Sequence, residues 1–307
     1  MKYVFITGGV TSSLGKGVTA AALGCLLKAR GYRVSMQKLD LYYNAEPGFL
    51  SPLEHGEAFI TDDGHATDLD LGNYERFVDT TLPGEACCTT GKIHRILLEK
   101  ELRGEFAGAT IQAIPHVTNE IKRNIREVAE RSGADISIVE IGGTVGDIEA
   151  SIYLEAIRQM RLESEKPYDC CYLHLTLMPY IAAAGELKTK PTQSSVKTLR
   201  GVGIQPDVIV CRTEVPLSGE GKDKIALFCN VKASNVIQNM DVEMLYDLPL
   251  VLEKEGLAKV VLAELHLQDS TPDLAAWRAF VHSAHEAAVP MHVAVVGKYT
   301  VMPDAYL

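Results

Sequence analysis

The amino-acid sequence predicts an α/β fold of P-loop (Rossmann-like) type, with a mainly parallel sheet flanked by helices. Short apolar runs alternate with longer helical stretches, as in βα units that stack into a parallel sheet. A glycine-rich turn separates the first predicted strand from the first helix. The runs 137–140 and 208–211 are apolar without alternation, which is typical of strands buried on both faces.

The predicted elements follow in chain order. Strand 3–6 leads through the glycine-rich turn into a helix over 18–30, whose small apolar residues suit packing against a sheet. Strand 33–39 comes next. Further strands are predicted at 109–114, 135–141, 171–177, 207–211, near Val236 and at 260–265. Residues 41–90 are rich in turn residues and show no sustained helix, which indicates a functional loop. The last run, from His292, reads as the first strand of a further domain, so we expect a division into 1–267 and 268–307.

Composition excludes several classes of protein. Of the 307 residues, 47% are hydrophobic and 23% charged, which is the balance of a globular protein. The formal charge of −10 argues against general binding to nucleic acid or to an anionic membrane. No apolar run is long enough to span a bilayer and no secretory signal is present, so a cytoplasmic protein is expected. The seven cysteines lack CxxC spacing, which favours reduced thiols over a zinc site or disulfides.

The glycine-rich turn is a candidate phosphate-binding loop. Residues 8–17 read GGVTSSLGKG, and their position between strand and helix lets backbone N–H groups and Lys16 hold phosphate. The usual P-loop pattern has a glycine where this chain has Val10, and a serine or threonine where it has Gly17. Because that hydroxyl is missing, another group must hold Mg²⁺.

Two further groups of residues suggest ligands. Asp70 and Glu140 are candidate Mg²⁺ ligands, since a hard cation bound to phosphates needs only one or two protein carboxylates. Asp70 by itself is more simply interpreted as a residue that caps a turn. Glu140 ends an apolar run that is predicted to be buried, and a buried charge needs a partner, which favours a functional role. Lys188 and Lys190, with Lys224, suit a triphosphate, although a solvated basic turn is an equally good interpretation of this segment by itself.

Nine motifs then identify a family. They occur in order as SSLGKG, KLD, SPLEHGEAF, DLDLGNYERF, TTGKI, VEIGGTVGDIE, GELKTKPTQ, PDVIVCR and IALFCNV. Over residues 1 to about 265 the chain resembles the CTP synthase family in its N-terminal synthetase (amidoligase) part. The final HVAVVGKYTVMPDAY resembles the start of that family's glutaminase domain, whose catalytic residues lie outside this sequence, so we expect ammonia rather than glutamine to serve as nitrogen donor.

The resemblance implies an ATP-dependent C–N ligase that aminates UTP to CTP through a 4-phosphorylated intermediate, with Mg²⁺ as cofactor. It implies that Lys16 and Lys38 are catalytic and that Asp70 and Glu140 bind the metal. The implied ATP-binding residues are Ser13, Leu14, Gly15, Lys16, Gly17, Val18, Asp70, Asp241 and Val242. The implied UTP- and CTP-binding residues are Ser12, Asp147, Ile148, Glu149, Lys188, Thr189, Lys190, Pro191, Thr192, Gln193 and Lys224. His55 resembles a residue at the family's ammonia entrance. CTP as feedback inhibitor and a homotetramer are also implied.

Departures from the family pattern fall in one loop. Residues that differ from the family's usual ones there are Leu41, Glu46, Phe49, Leu50 and Ala66. Loss of a proline at 41 removes a φ restraint, and loss of a glutamate at 66 removes a charge near Asp70. We therefore expect a protein that binds nucleotide but turns over at a reduced catalytic rate. Two alternatives stay open: a regulatory or filament-forming relative with impaired catalysis, or another P-loop amidoligase resembling dethiobiotin synthetase.

Overall fold

The computed structural model describes residues 1–301 and 306 and has a parallel sheet at its centre. The strands in chain order are β1 (Lys2–Gly9), β2 (Val34–Asp40), β3 (Phe59–Ile60), β4 (Ala66–Thr67), β5 (Cys87–Thr89), β6 (Ile136–Ile141), β7 (Cys170–Leu177), β8 (Tyr180–Ile181), β9 (Glu186–Leu187), β10 (Val208–Thr213) and β11 (Val236–Met240). Seven of them form one sheet in the order β11-β10-β7-β1-β6-β2-β5, with every pairing parallel. The predicted α/β class is confirmed.

Helices cover both faces of this sheet. They are α1 (Lys16–Lys28), α2 (Pro52–His55), α3 (Asp70–Val78), α4 (Thr90–Leu102), α5 (Thr118–Ser132), α6 (Ser151–Glu163), α7 (Lys190–Gly201), α8 (Gly219–Cys229), α9 (Leu248–Lys254), α10 (Leu257–Glu264) and α11 (Ala275–His285). Helices α1, α3, α9 and α10 pack on one face, and α5 and α6 pack on the other, each over its own apolar core. Helices α7 and α8 close a third cluster beside β7 and β10.

The strand order places a ligand site at the carboxyl edge beside β1. The chain leaves β1 toward β2 on one side, and later crosses to β7, β10 and β11 on the other. Open α/β sheets bind ligands at such a reversal, beyond the carboxyl ends of the strands. The predicted phosphate loop follows β1, and Lys38 and Glu140 lie near the ends of β2 and β6.

An aromatic cluster joins α11 to the rest of the chain. Phe77 of α3 contacts Tyr246 and Trp277, with 5.4 Å between ring centroids in both pairs. The indole N–H of Trp277 donates a hydrogen bond of 2.9 Å to the carbonyl oxygen of Tyr246. Helix α11 therefore packs on the helix that carries Asp70.

Three secondary-structure predictions for residues before 266 are wrong. Residues 260–265 fall mostly in α10, because Leu257, Ala258, Val261 and Leu262 are buried at helical rather than alternating spacing. Residues 109–112 have no strand partner among the described residues and lie mainly exposed, and a helical turn follows over Ala113–Val117. The segment 41–90 contains the nine-residue helix α3, whose buried Leu71, Tyr74 and Phe77 repeat every three residues.

The strand predicted from His292 is also not formed. Residues 292–297 carry no regular structure and are exposed in the described chain. Residues 302–305 and 307, at the end of the same predicted segment, lie outside the described residues. Within residues 1–301 and 306, no helix combines the length and apolar character that a bilayer crossing requires.

Candidate functional site

The phosphate loop opens directly into α1. Gly15 precedes the helix with a positive φ of 83°, a conformation that glycine adopts without strain. The N–H groups of the first helical turn have no partner within the helix and so face an incoming anion. Lys16 is buried, and its ammonium donates a hydrogen bond of 2.8 Å to the carbonyl oxygen of Gly143. Burial lowers the pKa of Lys16, partly opposed by the carboxylate of Glu140.

Gly17 explains how this loop departs from the usual pattern. A Cβ atom at this position would lie 2.0 Å from Oδ1 of Asp70 and 2.3 Å from its Cγ. The carboxylate of Asp70 therefore occupies the space that the side chain of a serine or threonine would need. In this chain an aspartate from α3 brings its oxygen atoms to the start of α1, where the usual loop has a hydroxyl.

Replacing Gly17 with serine, the usual P-loop residue, is therefore expected to damage the site. The new Cβ must displace Asp70, which separates that carboxylate from Lys38. We expect a loss of about 1–3 kcal/mol in the free energy of unfolding, as for other overpacked core positions. Thermal and urea unfolding measure this loss. Gly219→Ser is the matched control, because a Cβ there meets no atom within 4 Å. Equal stability of the two variants would contradict the prediction.

Lys38 lies between the two predicted metal ligands. Its ammonium donates a hydrogen bond of 2.8 Å to Oε1 of Glu140 and a short one to Oδ2 of Asp70. The hydroxyl of Tyr74 donates to the other oxygen of Glu140. Burial disfavours the charged form of Lys38, but the carboxylates of Asp70 and Glu140 outweigh it and raise its pKa well above the ordinary value. Sequence reasoning placed these three residues in one site, and the structure brings them into contact.

Two further carboxyl groups surround this contact. Burial raises the pKa of Asp40 to about 6 and that of Asp68 to about 7, against the nearby ammonium of Lys38. Burial also raises the pKa of Glu140, whereas Lys38 overcomes burial and lowers the pKa of Asp70. The site therefore holds four acid groups beside the ammonium groups of Lys38 and Lys16, and this surplus favours binding of a further cation.

These donors fit a hard divalent cation bound together with phosphate. Asp70 and Glu140 come from different elements, and both aim at one positive charge. Among the described residues, no group of three or more His, Cys, Asp and Glu side chains is arranged to ligate a metal alone. Mg²⁺ commonly takes one or two carboxylates and completes its shell with water and substrate phosphate. Asp70 and Glu140 are the residues that would hold it.

A cleft beside the phosphate loop brings together several of the predicted ATP-binding residues. Leu14, Gly15 and Val18 line a cavity of 310 Å³ together with Asp241 and Val242. Sequence reasoning missed Arg212, which lines the same cavity and fixes its wall. Its guanidinium pairs with Asp241 at 2.7 Å and donates to the carbonyl oxygen of Ser13 at 3.2 Å. The sequence offers one signal for this residue, the arginine that ends the motif PDVIVCR. That arginine lies at the end of a strand and has no recognisable spacing to other site residues.

A larger cleft collects the predicted lysines. Lys188, Thr189, Lys190 and Lys224 line a cavity of 530 Å³ between β9, α7 and α8. Lys190 also lines a neighbouring cavity of 510 Å³ together with Gln193 and Phe228. Thr192 is buried instead, where its hydroxyl pairs with that of Thr176 at 2.9 Å. Pro191 is the second residue of α7, a position that suits proline.

The other predicted pyrimidine-site residues lie on exposed turns. Ser12 is exposed on the phosphate loop, and Ile148 and Glu149 are exposed in the turn before α6. Asp147 accepts a hydrogen bond of 3.1 Å from the N–H of Thr144, which closes this turn. No cavity among those described unites this turn with the lysine cleft.

His55 and the altered loop lie close to the buried acids. The rings of His55 and Tyr42 meet edge to face at 5.4 Å, and the hydroxyl of Tyr42 donates to Asp40 at 2.9 Å. Leu41 is buried against Gly143, the residue whose carbonyl oxygen accepts from Lys16. Among the other altered positions Phe49 is exposed, Glu46 lies 3.8 Å from Arg95, and the methyl group of Ala66 faces Gly48.

Comparison with known proteins identifies the family. A family model described as "CTP synthase N-terminus" matches residues 2–267. A CTP synthase of Symbiobacterium thermophilum is 55% identical over 306 residues, covering 100% of this chain and 57% of the relative. A CTP synthase of Methanococcus maripaludis is 55% identical over 307 residues, with the same coverage. This chain thus spans a little more than half the length of these relatives.

Solved structures give a weaker likeness. The signal recognition particle 54 kDa protein of Aeropyrum pernix K1, in complex with GDP, has a TM-score of 0.42 and 14% identity, covering 93% of this chain and 50% of that one. The family model and the relatives support CTP synthase over the alternative of another P-loop amidoligase that resembles dethiobiotin synthetase. The chain belongs to the CTP synthase family and matches its N-terminal part.

Proposed function

We propose that this chain carries the synthetase reaction, in which ATP and ammonia convert UTP to CTP. One observation supports the proposal: two separate recesses that contain lysine side chains lie at the same edge of the sheet. The first holds Lys16 and Lys38 beside the loop after β1, and the second holds Lys188, Lys190 and Lys224 beyond β7 and β10. Two separate triphosphates need two such recesses, whereas a small carboxylic acid substrate needs only one.

The first step transfers a phosphoryl group. The O4 atom of UTP attacks the γ-phosphorus of ATP and ADP leaves. N3 of the uracil releases its proton to water as UTP becomes phosphorylated on O4. Loop N–H groups and Lys16 stabilise charge on the transferred group, and Lys38 stabilises charge from the opposite side. The cleft lined by Leu14, Val18 and Asp241 takes the adenine. Because the protein forms no covalent bond in this step, its contribution is positioning and charge.

The second step replaces phosphate with nitrogen. Ammonia adds to C4 of the pyrimidine, the bond between C4 and O4 breaks, and O4 leaves as part of inorganic phosphate. The added nitrogen releases one proton as CTP forms. Asp40 is buried at the end of β2 and bonded to Tyr42, which in turn contacts His55 at the surface. We assign His55 to the ammonia entrance, and the acid groups behind it to holding the released proton.

Asp70 and Glu140 would hold Mg²⁺, which would neutralise negative charge on the phosphates of ATP. In the absence of nucleotide, Lys38 supplies the positive charge that these carboxylates need. The remaining assignments of the pyrimidine site, Ser12, Asp147 to Glu149 and Thr189 to Gln193, stay predictions. The same holds for CTP as feedback inhibitor, a homotetramer, a cytoplasmic location and the domain division at 267.

CTP formation from UTP, ATP, Mg²⁺ and ammonium chloride at mildly alkaline pH tests the proposal. Ammonia is supplied directly, so the assay needs no glutamine hydrolysis. CTP and phosphate are expected in equal amounts. Binding of both nucleotides without CTP formation would instead support a regulatory relative whose catalysis is impaired. Failure of both nucleotides to bind would contradict the proposal.

The lysine cleft makes a separate prediction. Lys224→Ala is expected to raise the KM for UTP by about 10-fold or more, since a charged contact to phosphate is worth roughly 1.5–3 kcal/mol. The KM for ATP should change by less than about threefold, because Lys224 lines the cleft beyond α7. Lys232→Ala is the control, since Lys232 is an exposed lysine just after α8. Steady-state kinetics with each nucleotide varied in turn measure both constants. An equal rise in both values of KM would refute the assignment of this cleft to UTP.

A further inference from the structure

A buried histidine connects the two recesses, and the reaction described above does not use it. His174 of β7 is fully buried. Its Nδ1 atom lies 2.8 Å from the hydroxyl oxygen of Thr7 in β1, and its Nε2 atom lies 2.8 Å from that of Ser195 in α7. A buried histidine with both nitrogen atoms bonded to hydroxyl groups from different elements holds those elements in one arrangement.

The protonation of this histidine is defined by its surroundings. Burial, assisted by the positive charge of Lys16, lowers the pKa of His174 to about 3, so the imidazole is neutral at physiological pH. The hydroxyl of Thr7 donates to the carbonyl oxygen of Leu173 at 3.4 Å. Thr7 therefore accepts from Nδ1–H, and Nε2 accepts from the hydroxyl of Ser195. Every proton in this chain of hydrogen bonds has a partner.

Two adjacent glycines show what the histidine holds in register. A Cβ on Gly8 would lie 2.7 Å from Cδ of Lys16, so the side chain of Lys16 runs along this glycine. A Cβ on Gly9 would lie 1.7 Å from Oγ of Ser195 and 3.1 Å from Nε2 of His174. The end of β1 thus contacts Lys16 of the phosphate site at one residue, and the helix of the lysine cleft at the next.

We propose that His174 is a positioning residue that fixes α7 against the phosphate loop, through its hydrogen bonds to Thr7 and Ser195. The inference rests on the proposed function. Helix α7 begins at Lys190, so the position of this helix sets where a triphosphate in the lysine cleft lies relative to Lys16. Transfer between two bound nucleotides requires close alignment, and a displacement of about 1 Å can cost about 100-fold in rate.

Ser195→Ala tests the inference with the least disturbance. The variant removes one hydroxyl and leaves Nε2 of His174 without its donor. We expect kcat for ammonia-dependent CTP formation to fall about 10- to 100-fold, while the KM values for ATP and UTP change by less than about threefold. Thr198→Val is the control, because Thr198 lies one turn further along α7 and its hydroxyl donates within the helix, to the carbonyl oxygen of Ser194.

A second variant separates positioning from folding. His174→Leu removes both hydrogen bonds, and His174→Gln keeps an amide able to accept from Ser195. If His174 acts by positioning, adding His174→Leu to Ser195→Ala should cost little more in kcat than either change alone, because both break the same connection. His174→Gln should recover part of the rate. All rates are taken per folded protein, with the folded fraction measured by thermal unfolding.

The outcomes are distinguishable from failure of the proposed function. Wild-type protein that forms no CTP overturns the function, and the inference falls with it. Wild-type protein that forms CTP, beside a Ser195→Ala variant with unchanged kcat, overturns only the inference. Losses that are additive, or that follow the melting temperature and not kcat, show a structural role alone and also overturn it.

Discussion

Lys16→Ala is expected to lower CTP formation by about 10³-fold while leaving the fold intact. The ammonium of Lys16 lies beside the loop that would hold the transferred phosphoryl group. Removing one preorganised hydrogen-bond donor to a developing negative charge lowers the rate about 10²–10³-fold. Because Lys16 carries a full positive charge, we expect a loss at the upper end of this range. Without bound nucleotide, the Lys16→Ala variant should lose little stability relative to wild type. Burial disfavours the charged form of Lys16 and lowers its pKa, so removing this charge costs the folded state little.

Lys28→Ala is the matched control for this variant. Lys28 lies on the same helix, and its ammonium bonds to the carbonyl oxygen of Val78 far from the phosphate loop. Single-turnover formation of CTP measures the chemical step, and a thermal shift with ATP and Mg²⁺ measures binding. A Lys16→Ala variant with more than a tenth of the wild-type rate would show that this lysine does not act on the transferred group.

Lys38→Met is expected to cause the largest loss of stability, about 3–5 kcal/mol at pH 8. Removing one partner of a buried ion pair leaves an uncompensated charge, which is costly in this range. Here the ammonium lies between Asp70 and Glu140, and Glu140 is fully buried. Lys122→Met is the control: that lysine is equally buried, but its partner Glu163 is 41% exposed and can be hydrated when the pair is lost.

The same variant tests the metal site without an activity assay. With the ammonium gone, Mg²⁺ can replace the missing positive charge, so Mg²⁺ alone should raise the melting temperature of Lys38→Met more than that of wild type.

The stability that Lys38→Met loses relative to wild type should also become smaller as pH falls from 8 to 6. Burial already raises the pKa of Asp40 to about 6 and that of Asp68 to about 7, and loss of Lys38 raises them further. Native protein then binds more protons than unfolded protein, which stabilises it at lower pH. A deficit independent of both Mg²⁺ and pH would contradict this account.

The sequence predicts the central sheet well because its strands are continuous apolar runs. Lys38 and Glu140 are charged residues at the ends of two such runs, which marks them as strand ends. Parallel strands bring their carboxyl ends to one edge of the sheet. That reasoning brings Lys38 and Glu140 to one edge of the sheet, and the resemblance to the family adds Asp70 to the same site. It did not show that Lys38 binds both carboxylates, since partner choice depends on distances set by packing.

The errors have a common physical origin. The run at 260–265 is apolar and contains two valines, so composition suggests a strand, while burial at helical spacing places it in α10. In α3 the turn-like DLDLG precedes a helical repeat, and Asp68 accepts from the N–H of Asp70 at its start. His174 appeared as an ordinary residue of an apolar strand, because its partners are distant in sequence and only the fold brings them together.

The aromatic cluster around Trp277 provides an optical signal from a single place. The chain contains one tryptophan, so its indole emission reports on one environment. That indole contacts Phe77 on the helix carrying Asp70, and bonds to Tyr246, the neighbour of the cleft residue Leu245. We therefore expect a change at the proposed adenine cleft or at the acid cluster to affect the same fluorophore, because one layer of side chains separates each of them from the indole. Titration with nucleotide or Mg²⁺ is expected to change this intrinsic fluorescence, which would report the proposed binding without a label and without altering the molecule.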